Sequence, residues 1–159
     1  MTRRVLLGTG AAVVGGAAII GGAQLTGRLD DVADAVGLDP KPEPDPRDNR
    51  LVGRAGASAA GLLATLEATV ARHPTMALAP LIDLVREQAT AVDGGSAADA
   101  APVPETPEEA SRALEALFSS AASDRATDCG RAVSPDLARV LASMSAGLAQ
   151  AAVAVRGLR

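Results

Sequence analysis

The sequence predicts an all-α protein: an antiparallel four-helix bundle preceded by an N-terminal apolar export or anchor helix and a Pro-rich linker. Three observations carry this. The 159 residues include 36 alanines, and alanine is the best helix former. Apolar residues after position 50 recur at three- and four-residue steps, the period of a helix with one buried stripe. No stretch alternates apolar and polar residues as a strand does, and Phe118 is the sole aromatic, which disfavours a sandwich or barrel core. A core of Leu, Val, Ala and Met is made of compact side chains, so close helix packing is expected rather than a roomy cavity.

Three regions follow: residues 1–35 as export or anchor segment, 36–50 as charged linker, 51–159 as bundle. Thr2-Arg3-Arg4-Val5-Leu6-Leu7 resembles the twin-arginine translocation signal, with Arg3, Arg4, Leu6 and Leu7 at the positions that carry it. Val5 to Leu25 contains no charge. As a helix rising ~1.5 Å per residue it would match the ~30 Å hydrocarbon core of a bilayer. Its glycine pairs at 15–16 and 21–22 keep it only weakly hydrophobic. With the arginines retained inside, the body of the chain is expected outside the cytoplasm, secreted or held at the cell membrane. Ala33-Asp34-Ala35 and Gly21-Gly22-Ala23 both have a small-x-small form, and an uncleaved tether in contact with the membrane is a further alternative.

Asp39 to Arg50 alternates four prolines with charges and is expected to stay extended. The first bundle helix is expected from about Leu51 to Arg72, with Val52, Ala55, Ala59, Leu62, Leu66 and Val70 as its stripe, ended by His73-Pro74. The second opens near Pro80, buries Leu78, Leu81, Val85, Ala89 and Val92, and stops at Asp93-Gly94-Gly95. Ser96 to Pro104 reads as a loop of small residues. The third helix has the clearest start: Thr106-Pro107-Glu108-Glu109 combines a cap, a first-turn proline and a capping-box acid. Its stripe is Ala110, Leu114, Leu117 and Ala121 with Phe118 alongside, and Gly130 is expected to cap its end. The fourth opens at Ser134-Pro135-Asp136. Leu137, Leu141, Met144, Leu148, Ala151 and Val155 form its seam.

The residue inventory argues against several chemistries. The net charge is −4 and the 15 basic residues are scattered, so no nucleic-acid surface is expected. Cys129 is the only cysteine and cannot close an internal disulfide; it reads as a small, partly buried thiol near a helix end. A two-iron bundle needs Glu-x-x-His on two helices. The one histidine, His73, has Val70 three residues before it. The helix acids, among them Asp83, Glu87, Asp124 and Asp128, are expected on solvated faces. His73, Met76 and Met144 are of the ligand type for copper or haem iron, but the expectation is a solvent-facing His73 and a gap-filling Met76. No catalytic residue, cofactor or metal site is therefore assigned.

Thr106 to Ala126, Ser134 to Ala152 and, within the latter, Asp136-Leu137-Ala138-Arg139-Val140-Leu141-Ala142-Ser143 carry a family resemblance. From about Arg50 to Arg156 the chain resembles alanine-rich, ferritin-like four-helix domains of unknown function in exported actinobacterial proteins and lipoproteins. The expected role is a non-enzymatic bundle that binds an envelope protein, reached through the export translocase. The alternative is a small-ligand or metal carrier with a pocket between helices. A short second helix would under-cover the core, so homo-oligomers are also expected to be accessible.

Overall fold

The computed structural model describes residues 44–92 and 98–158. The segment expected to direct export, with Arg3, Arg4, Leu6 and Leu7, lies outside the described residues, as does the expected stop at Asp93-Gly94-Gly95. Four helices and no strand occur among the described residues: α1 (Pro46–Arg72), α2 (Ala79–Ala91), α3 (Pro107–Cys129) and α4 (Pro135–Arg156).

The helix starts follow from local chemistry. Thr106 Oγ1 accepts the N–H of Glu109 at 3.3 Å and donates to the Glu109 carboxylate at 2.9 Å. Ser134 Oγ accepts the N–H of Leu137 at 3.4 Å. Both caps precede a proline at the first helical position, where a missing N–H leaves nothing unpaired. Gly130 caps α3 as expected, but with φ −69° rather than in the left-handed region, so the chain turns on without the conformation reserved for glycine.

One boundary is corrected. α1 begins at Pro46, inside the 36–50 stretch expected to remain extended. Proline blocks a helix only past its first turn, and Pro46 stands at the start of α1. Asp45 caps it by accepting the N–H of Arg47 at 2.7 Å. The decisive hold is tertiary: Asp48 is buried and accepts the N–H groups of Val133 and Ser134, both at 2.8 Å.

Cross-chain contacts orient the helices. The start of α1 meets the start of α4 through Asp48, while its end meets the approach to α3 through His73 and Pro104. Ser111 Oγ, early in α3, donates to the carbonyl of Val155, late in α4, at 2.9 Å. Thus α1 runs antiparallel to α2 and α3, and α4 runs antiparallel to α3 and α2. α2 and α3 therefore run parallel: Val92 and Thr106, the two ends of the crossover that joins them, stand at opposite ends of the bundle. A connector of that length spans up to ~45 Å when extended, more than the ~20 Å of a helix as short as α2.

Most of the expected stripe residues form the core; Val52, Val70, Leu117 and Leu137 are half-buried at its edge, and Leu51 joins it from outside the expected stripe. Leu66, Leu78, Val85, Leu114, Phe118, Leu148 and Val155 lie in one cluster that joins all four helices. Leu51, Ala55, Val92, Leu141 and Met144 form a second cluster at the Asp48 end, with the half-buried Cys129 packed against it. Close approach is clearest between α3 and α4. Besides Ser111, Ser145 Oγ reaches across to the carbonyl of Ala122 at 2.8 Å. α2 meets α4 at Gly147, where a Cβ would stand 3.0 Å from the amide nitrogen of Gln88.

Candidate functional site

Small residues leave a cleft between α1 and α3. Ser58 and Gly61 on α1 face Ser120 and Ala121 on α3, and such side chains do not fill the groove between two helices. A Cβ built on Gly61 would meet no heavy atom within 4 Å. The open space is about 320 Å3, at the lower edge of the size range of small-molecule sites. Leu62 and Leu117 contribute apolar wall, and the crossover closes one side with Asp99, Ala100 and Ala101. Close packing, the expectation from composition, therefore describes α3 against α4 but not the outer groove of α1 against α3.

The crossover is fastened there by a buried hydroxyl. Thr65 Oγ1 donates to the carbonyl of Gly61 at 2.7 Å and accepts the N–H of Ala101 at 2.9 Å. Farther along, His73 Nε2 lies 3.0 Å from the carbonyl of Pro104. A carbonyl only accepts, so Nε2 carries the proton in this bond. Two acidic residues line the cleft, Asp99 from the crossover and Asp124 from α3. Both residues are exposed, and neither carboxylate joins a hydrogen bond or ion pair among the described residues.

His73 was expected to face solvent and is instead buried. The physical reason is its bond to Pro104, which lets the crossover cover the ring. Met76 packs against the larger cluster, whereas Met144 belongs to the smaller one. The structure does not gather the three into a copper or haem site. Among the described residues no group of three or more His, Cys, Asp or Glu side chains is placed to hold a metal ion.

A second correction concerns the acids. Asp128 was expected on a solvated face but is buried, together with Arg125. Its Oδ1 accepts from Arg54 Nη2 at 2.7 Å, and its Oδ2 stands 3.3 Å from Arg125 Nη2. Arg125 Nε and Nη1 have no acceptor, and Asp128 Oδ2 makes only this ionic contact, with no hydrogen bond. The signal was present in sequence: Leu114, Phe118 and Ala121 step by four and three, and the same steps lead on to Arg125 and Asp128. The interior is therefore not purely hydrocarbon. The charges sit at the Asp48 end of the bundle, where they tie α1 to α3.

The remaining surface feature is the outer face of α4. Ala142, Ser143, Ala146, Ala149, Gln150, Val153 and Ala154 are exposed, and no charge occurs between Arg139 and Arg156. Val153 is 64% exposed. By length and mean hydropathy (1.4) α4 could cross a membrane, but Leu141, Met144, Leu148 and Val155 on its opposite face are in the bundle core. The exposed faces of α1 and α2 carry charges, among them Arg50, Glu67 and Arg72 on α1 and Asp83, Arg86 and Glu87 on α2.

Comparison with known proteins returns no matching family model, no similar curated protein and no similar solved structure.

Proposed function

We propose that this chain is an exported or membrane-tethered, non-enzymatic helical bundle that binds a protein partner at the cell envelope through the outer face of α4. The observation that carries the reading is that face: seven exposed residues without charge over about three and a half turns, on a surface whose other helices carry charges. Small side chains let a second helix approach closely, and no ion has to be desolvated on contact. Export rests on Arg3, Arg4 and the uncharged run from Val5 to Leu25. Kinship with ferritin-like domains is supported by the single long crossover between two antiparallel hairpins, the connectivity of that class.

A photo-crosslinking residue at Gln150 in the full-length chain, in intact cells, tests the surface. A protein adduct absent when the same group replaces Asp83, and suppressed by Ala146→Arg, is the expected result. Adducts of equal yield at both positions would remove α4 as the contact. The address has its own test: Arg3→Lys with Arg4→Lys should hold the protein in the cytosol, and unchanged fractionation would end the twin-arginine reading.

A second reading is favoured by the cleft between α1 and α3: a carrier of a small ligand. It needs convergent polar groups around an apolar wall, and Asp99, Asp124, Ser58 and Ser120 around Leu62 and Leu117 supply that pattern.

A further inference from the structure

We infer that the cleft between α1 and α3 binds a small organic cation, an ammonium-type group carried on a compact apolar body. This deepens the carrier reading and rests on it; it is independent of the α4 surface.

Volume, wall and charge point the same way. The space is about 320 Å3 and opens to solvent, so it suits a compact molecule rather than a long chain. Leu62, Leu117 and Ala121 give the wall its apolar character. Asp99 and Asp124 approach from different elements, one on the crossover and one on α3. Asp99 and Asp124 have no arginine partner among the described residues, a state shared by the exposed Glu87, Glu108 and Glu109, but these two line a cleft, and no lysine or arginine lines it with them. An anion would meet two negative charges and no positive one. A neutral molecule would use the wall and the hydroxyls of Ser58 and Ser120 but leave the two negative charges uncompensated. A cation with an apolar body uses wall and charge together; Asp124 stands on α3, and Asp99 lies two residues from Ala101, whose N–H is bonded to Thr65.

The test uses three probes with one body: benzylammonium, benzyl alcohol and benzoate. Each is titrated into the full-length chain in lipid nanodiscs, with the amide signals of Gly61, Ala101 and Ala121 as readout. Benzylammonium is expected to bind about tenfold more tightly than benzyl alcohol, as two exposed ion pairs allow, and the advantage should shrink with salt. Benzoate should bind least. Asp99→Asn with Asp124→Asn should bring benzylammonium down to the level of the alcohol. Gly61→Leu, which points a side chain into open space and favours the helix, should abolish all binding while helicity by circular dichroism stays unchanged. Equal binding of the three probes would overturn the charge inference and leave the carrier reading standing. Absence of shifts with every probe, or binding that survives Gly61→Leu, would overturn both.

Discussion

Arg125 and Asp128 form a buried ion pair one turn apart on α3, Nη2 to Oδ2 at 3.3 Å, with 4% and 5% of their side chains exposed. The pair is asymmetric. Asp128 is hydrogen-bonded through Oδ1 to the half-exposed Arg54 although its Oδ2 has no hydrogen bond, whereas none of the Arg125 nitrogens is hydrogen-bonded to a side chain. Removing the carboxylate strands a buried cation; removing the arginine removes atoms that were poorly paired already. Asp128→Ala should therefore cost about 3–5 kcal/mol in urea unfolding, and Arg125→Met about 1 kcal/mol or less. Equal losses from the two substitutions would contradict this account.

Asp48 fixes where α1 begins. Its carboxylate accepts two backbone N–H groups from the turn between α3 and α4. Asp48→Ala should cost about 2 kcal/mol, the scale of hydrogen bonds to a charged acceptor whose donors can partly return to water. Hydrogen exchange supplies the specific readout. The amides of Val133 and Ser134 should lose protection beyond the global change, while that of Leu66 should follow the global change alone.

The seam of α4 is continuous with both core clusters. Leu141 is 0% exposed and Leu148 3%. Replacement of either by Ala should destabilise by about 2–5 kcal/mol. A loss under ~0.5 kcal/mol in both would mean that these side chains are not the packed face.

Gly53 and Gly61 lie inside α1, and a Cβ at either would meet nothing within 4 Å. Gly53→Ala and Gly61→Ala should each stabilise by about 0.5–1 kcal/mol, because alanine favours the helix and restricts the unfolded chain. An unchanged or lowered thermal midpoint in both would show that α1 needs these glycines for a reason not visible in its packing.

Much of the fold was legible because its signals are local. Thr106-Pro107 and Ser134-Pro135 mark helix starts through bonds that span three residues. The buried leucines recur at the helix period, and a period can be read without knowing the neighbouring helix. The start of α1 was misread because Pro46 is compatible with either an extended spacer or a first turn. The choice was made by amides of residues 133 and 134, far along the chain.

The amino-acid order by itself determined which segments become helices and which face of each is apolar, since both follow from propensity, capping and period. The tertiary structure alone decided that the crossover joins opposite ends of the bundle, that His73 and Asp128 are buried, and that Asp99 comes to share a cleft with Asp124. Each of those depends on a partner distant in sequence, such as Pro104 for His73 or Arg54 for Asp128. Burial of a polar group depends on whether such a partner meets it, and that is a property of the assembled bundle.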